Sequence, residues 1–216
     1  MVVLAVAGSA AEAGAAGKSL KKALVLSLAV PGAGEAYLGA SGRARAFMAT
    51  EAGIWSSFAF FRVQGAMRED AYHDKARLFA GVTGNRDDTY YQMLAYYPSS
   101  EEYNIDIMRE ARLRYPDDRD LQLAYFEANA YSGDDGWEWD SLQRMEEFAL
   151  ERTRSRQSYR RAVLTTGFAV LNRMVSMIDV YLSFKLENAG VKGPGLGIVA
   201  EPTSDHGFRV YLSAPF

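Results

Sequence analysis

Three stretches of the chain are continuously apolar, and the segments around them carry helical spacing. Ala23 to Val30 is cut short by Pro31, Gly32 and Gly34. Ala46 to Phe61 runs 16 residues with one acid, Glu51, and Ala162 to Phe184 runs 23 residues and holds Asn172, Arg173 and Asp179. A helix that crosses a bilayer needs about 20 mostly apolar residues, so only the third stretch has that length by itself. Arg43 to Ala80 contains no proline, and Asp140 to Asn188 contains none either and a single glycine, Gly167. Two long helices are predicted. The second opens on a capping box, with Asp140 as cap and Gln143 three residues on, and closes at Gly190 before Pro194.

Shorter helices are predicted between the two long ones, each bounded by a turn signal. They are DDTYYQMLAYY ending at Pro98, SSEEYNIDIMREARLRY ending at Pro116, and DDRDLQLAYFEANAY ending at Gly133. Tyr103, Ile107, Ala111 and Tyr115 recur every four residues and form the apolar stripe of the middle helix. In the tail, Phe208, Val210 and Leu212 alternate with Arg209, Tyr211 and Ser213 behind the loop residues EPTSDHG, which predicts a β-hairpin. The expected fold is mainly α: two long antiparallel, membrane-associated helices, a small Tyr-rich helical bundle between them, and a C-terminal β-hairpin. The expected organisation is a signal-like or flexible tail over 1–18 and hydrophobic helices with a Pro-Gly break over 19–63. An acidic helical domain follows over 64–158, then a hydrophobic helix over 159–190 and the hairpin over 191–216.

Charge divides the chain along the same lines. Residues 64–158 hold 12 Lys+Arg and 20 Asp+Glu, a net of −8, while the remainder holds 12 and 7, a net of +5. Ten of the 13 tyrosines lie between Tyr72 and Tyr159. An acidic centre flanked by basic, hydrophobic ends suits a membrane-attached protein with one water-facing domain, and a soluble helical core is the alternative reading. The acidic centre argues against nucleic-acid binding. Without cysteine there is no disulfide or thiolate chemistry, and His73 and His206 alone give little material for a metal site or a Ser-His relay. No catalytic, cofactor or metal residue is assigned. The opening MVVLAVAGSAAEAGAAGKS has the apolar run and small residues of a secretory signal, but lacks its basic start.

The stretch PGAGEAYLG tests for a phosphate loop and fails. Tyr37 stands where a dinucleotide fingerprint needs its third glycine, no Lys-Ser/Thr follows, and Glu35 places negative charge where phosphate would lie. A hydrophobic helix ended by Pro-Gly, then a tight turn into the next helix, is the better reading. Ser27, Pro31, Gly32, Gly34, Tyr37 and Gly39, with Asn172, Ser176 and Asp179 later, resemble the two signatures of an uncharacterised bacterial family of envelope membrane proteins. Glu35 stands where that family usually has Gln, and Val180 where Ala is common. The resemblance implies an envelope membrane protein and no established activity.

Charges inside apolar helices need partners. If Ala46–Phe61 and Ala162–Phe184 pack antiparallel with Arg62 level with Ala162, residues at equal depth have numbers summing to about 224. Glu51 then meets Arg173, and Arg45 meets Asp179. Positions six apart differ by about 120° around a helix, so the two pairs are not coplanar. They read as structural ion pairs that fix register, with an ion or proton relay as the rival. Trp55, Trp137, Trp139, Arg160 and Arg161 are candidate partner or interface residues, the arginines toward anionic lipid headgroups. The expected role is a non-catalytic accessory or scaffold subunit of a larger bacterial envelope membrane assembly. The expected partners are other membrane proteins and lipid, the expected place is the inner membrane with periplasmic exposure possible, and lipid or small-ligand handling is the alternative.

Overall fold

The computed structural model describes residues 17–189 and the backbone of 197–202 and 208–213. Among these residues the chain is mainly helical: α1 (Leu20–Ala29), α2 (Ala33–Leu38), α3 (Ser41–Ala80), α4 (Asp88–Leu94), α5 (Ser100–Arg114), α6 (Arg119–Asn129) and α7 (Leu142–Asn188). The chain divides into two compact units. The first comprises residues 1–59 and 163–216, and the second residues 60–162. The signal-like start and the Gly190 cap lie outside the described residues. The tail's hairpin is taken up under Proposed function.

In the first unit, α1 starts where Ser19 accepts a hydrogen bond from the Lys22 N–H, an N-cap that satisfies an otherwise unpaired donor. It stops at Ala29 because Pro31 disfavours helix at the preceding residue. At ten residues, α1 spans about 15 Å, half the hydrocarbon core of a bilayer, so it does not cross one unaided. Gly32 follows in the left-handed region at φ 95 and opens the six-residue α2, which ends at Gly39, φ 92. The Pro-Gly break is thus a turn between two helices, with α2 an element the sequence pattern did not separate. Among the described residues α7 is the one helix long and apolar enough to cross a membrane, and only 33% of its apolar window is buried.

The second unit is built around aromatic rings. Tyr72, Tyr90, Tyr91, Leu94, Trp137, Trp139 and Phe148 are buried together. Many of the rings meet edge to face, as Tyr72 does with Phe148 at 5.5 Å and Tyr90 with Trp137 at 5.4 Å, each such pair worth about 0.5–1.5 kcal/mol beyond its area. Helices α4, α5 and α6 are capped by Asp87, Ser99 and Asp118, each accepting a backbone N–H from the first turn. On α5, Ile107 and Ala111 are buried and Tyr103 and Tyr115 half-buried, so the four-residue stripe does face inward. The segment after α6 is pinned by backbone bonds, Ser100 N–H to the Trp137 carbonyl and Trp139 N–H to the Pro98 carbonyl. One cap differs from expectation. Ser141, not Asp140, accepts from the first turn of α7, through the Arg144 N–H, while the Asp140 N–H donates to the Phe79 carbonyl at the end of α3.

Candidate functional site: a buried polar centre in the first unit

The motif PGAGEAYLG builds a packing joint around one acid. Glu35, on α2, is 1% exposed. The Ser27 hydroxyl of α1 donates to its Oε2 at 3.1 Å, and the Ser176 hydroxyl of α7 approaches both its oxygens, at 2.8 and 3.0 Å. Ser176 in turn accepts the Gly32 N–H at 3.2 Å. Both glycines are required here. A Cβ at Gly34 would overlap Ser27, the Ala23 carbonyl and Val180, and one at Gly32 would overlap the Ala44 carbonyl of α3. Small residues let helix backbones approach closely, and polar side chains then bond across the gap.

Next to this joint, Arg43 of α3 bridges Asp179 at 3.0 Å and Ser183 at 2.7 Å on α7. Asp179 is 4% exposed. Its second oxygen, Oδ2, is buried without a hydrogen-bond partner among the described residues. Farther along, Glu51 is fully used. Its Oε1 accepts from Arg173 at 2.7 Å and from the Trp55 indole at 2.9 Å, and its Oε2 from Asn172 at 3.0 Å. The partners descend along α7 as they ascend along α3 within this unit.

The Glu51–Arg173 ion pair is therefore present, whereas the expected Arg45–Asp179 pair is not. Arg45 is exposed and its Nε donates to the Ser41 carbonyl of its own helix. Geometry explains the substitution. Arg43 lies eight residues before Glu51, about 80° away around the helix, while Arg45 lies about 200° from Arg43 and faces elsewhere. On α7, Asn172, Ser176, Asp179 and Ser183 repeat at helical spacing and form the matching polar stripe. Glu35 was missed as a site residue because the Gly-rich stretch was read as a turn and its acid only as an obstacle to phosphate. The available signal was an acid set between glycines, with serines on two apolar helices to meet it.

The tryptophans separate. Trp137 and Trp139 are not interface residues: they are 4% and 7% exposed, and their indole N–H groups donate to the Tyr97 and Leu94 carbonyls, both at 3.0 Å. They fill the aromatic core and satisfy carbonyls at and beyond the end of α4. Trp55 is 45% exposed, with its polar edge turned to Glu51. Arg160 and Arg161 are exposed on α7, and Arg161 lies over the Phe61 ring at 5.9 Å.

Chemically, the centre is a set of cross-helix locks. Its hydroxyls, amide and guanidinium groups are spent on carboxyl groups of other helices. No three His, Cys, Asp or Glu side chains converge as a metal site among the described residues. No family model, no curated protein and no solved structure matches this chain.

Proposed function

We propose that the protein is a non-catalytic accessory or scaffold subunit of a larger membrane assembly in a bacterial envelope. In this reading the apolar parts of α3 and α7 lie antiparallel in the inner membrane and the second unit stands in water. One observation carries it: the first unit buries a run of polar side chains beside a small apolar cluster and leaves many large apolar side chains exposed. It buries Ser27, Glu35, Asn172, Ser176 and Asp179, while Val25, Leu28, Phe168, Leu171, Met174 and Ile178 are about half exposed or more. In water this distribution leaves a large apolar surface uncovered; in hydrocarbon lipid covers the apolar side chains, and the buried polar groups other than the Asp179 Oδ2 find the internal partners they need there.

The scaffold role is supported by how the buried polar groups are used, as locks between helices and not as a set converging on a substrate-sized space. An antiparallel helix pair is supported by the partners on α7, Asp179 and Ser183 for Arg43 and Asn172 and Arg173 for Glu51. A tail hairpin is supported by the register that sets Gly197 opposite Ser213 and Pro202 opposite Phe208. Ligand handling is the second reading. It is favoured by a groove of about 690 Å³ on α5 and α6, where Ile105, Met108 and Phe126 face Arg109 and Arg112. Mild-detergent extraction of native membranes, followed by identification of every chain in this protein's native-gel band, tests the proposal. A stoichiometric set of membrane proteins is expected, and a lone band of monomer size would sink the scaffold role.

A further inference from the structure

Arginines in the second unit fall into two classes. Arg77, Arg86, Arg109, Arg114, Arg144, Arg152, Arg154 and Arg156 each pair with a carboxylate, as a net-acidic unit readily allows. Six have no carboxylate ion pair among the described residues: Arg112 on α5, Arg119 on α6, and Arg62, Arg68, Arg160 and Arg161, which lie near the unit's chain ends, on α3 and α7. Two of them stack on rings: Arg62 over Tyr159 at 4.9 Å and Arg161 over Phe61 at 5.9 Å.

The Tyr159 ring is itself fixed. It lies against Gly65, where a Cβ would overlap it, and its hydroxyl donates to Glu69 at 2.5 Å. That bond occupies one of the nearest acids. The four cations near the chain ends are interleaved with exposed apolar side chains, Phe60 at 59%, Val63 at 60% and Met67 at 68%. Phe60, Val63, Gln64, Met67 and Arg68 line a shallow groove of about 280 Å³. Unpaired guanidinium groups beside apolar side chains and rings match a phosphodiester above an acyl chain, because guanidinium binds phosphate oxygens bidentately and aromatic rings settle at headgroup depth.

We propose that Arg62, Arg68, Arg160 and Arg161 form a collar that binds the headgroups of anionic phospholipids, with acyl chains against Phe60, Val63 and Met67. This rests on the membrane reading above and adds a lipid class to it. Anionic lipid attracts each nearby Arg, and with salt screening the four together give a preference of about tenfold.

The test uses the full chain in mild detergent, challenged with phosphatidylglycerol or phosphatidylcholine, and reads retained lipid by native mass spectrometry. Co-flotation with vesicles of phosphatidylcholine alone runs alongside. The collar predicts that phosphatidylglycerol is retained about tenfold over phosphatidylcholine. The joint R62Q/R68Q/R160Q/R161Q variant should abolish that preference, while R109Q/R112Q/R114Q should preserve it. Both variants should still float with neutral vesicles, which shows that insertion and fold are intact. Equal retention of the two lipids by the wild type, or an unchanged preference in the collar variant, overturns the collar and leaves the membrane reading standing. Failure of the wild type to float overturns the membrane reading itself. Loss of a co-purified protein with lipid preference unchanged would assign the collar to protein contact and overturn the lipid inference.

Discussion

The two units of this protein invert each other's chemistry. The second buries a cluster of large apolar side chains, five of them tyrosine, tryptophan or phenylalanine at no more than 4% exposure, and keeps ion pairs such as Arg77–Asp74 and Arg109–Asp106 at its surface. The first buries serines, an asparagine and two acids with small residues such as Ala23, Ala44 and Ala169, and turns Val163, Leu164 and Phe168 outward. The first pattern is hydrophobic burial from water. The second is what the proposed membrane surroundings call for, with close backbone approach and cross-helix hydrogen bonds holding the helices together. Polar groups in the two units therefore carry different energetic weight. Surface pairs such as Arg114–Glu110 contribute about 0–1 kcal/mol, whereas unmatched polar groups in the buried centre would each cost about 1–3 kcal/mol.

The contrast is broken most sharply in the aromatic core. Trp139→Ala should cost about 3–5 kcal/mol, as expected for an emptied aromatic site, and should lower the midpoint of the near-ultraviolet dichroism transition. Phe168→Ala, at an exposed apolar position of the first unit, should leave that midpoint within about 0.5 kcal/mol. A comparable loss from Phe168→Ala would mean that Phe168 packs as a core residue does.

In the first unit the sensitive positions are polar. Ser176→Ala removes a donor to Glu35 and the acceptor of the Gly32 N–H, and Glu35→Leu strands two serine hydroxyls. Each should cost about 1–3 kcal/mol, measured by thermal unfolding in detergent, and Glu35→Gln should recover most of the loss because an amide oxygen still accepts. Smaller still, Arg43→Gln should cost about 0.6–2 kcal/mol, the range for polar contacts within membrane helices, while Arg45→Gln stays near zero. Equal effects at the two positions would contradict the register.

Titration should act on the second unit. Burial pushes the phenols of Tyr72 and Tyr90 up to about 12, and burial with the Glu69 carboxyl does the same for Tyr159. The unfolded chain releases these protons near pH 10, so stability is complete below pH 10 and drains as the pH climbs toward 12. His73, stacked on Tyr91 at 4.3 Å, is held below 6.5 mainly by desolvation. The unfolded state then binds the extra proton, so this contribution is present above pH 6.5 and lost as the pH falls below it. His73→Gln should flatten the acid limb of the unfolding midpoint plotted against pH.

The helices were legible because their boundaries are local. Proline and glycine breaks, together with Ser and Asp caps, delimit α1 and α4 to α6 within a few residues. The Glu51–Arg173 pair was legible because a charge in an apolar run needs a partner and an antiparallel register supplies one. Arg43 was misassigned to Arg45 because the register was counted linearly, and a two-residue slip turns a side chain by about 200°. Trp137 and Trp139 read as partner or interface candidates because composition does not reveal that carbonyls of Leu94 and Tyr97 await their N–H groups. Glu35 was hidden for a similar reason. Its two serine partners lie 8 and 141 residues away, and only the folded chain brings them together.

The account turns on what covers the apolar face of α7, and a cysteine-free chain makes this directly measurable. Single cysteines at Val170, Met174 and Leu113 can each carry a nitroxide in reconstituted vesicles, with oxygen and a water-soluble nickel chelate as competing relaxers. Oxygen concentrates in hydrocarbon and the chelate in water. High oxygen and low nickel accessibility at Val170 and Met174, with the reverse at Leu113, is the predicted result. Nickel accessibility at Val170 and Met174 equal to that at Leu113 would contradict the account, because the apolar face would then stand in water.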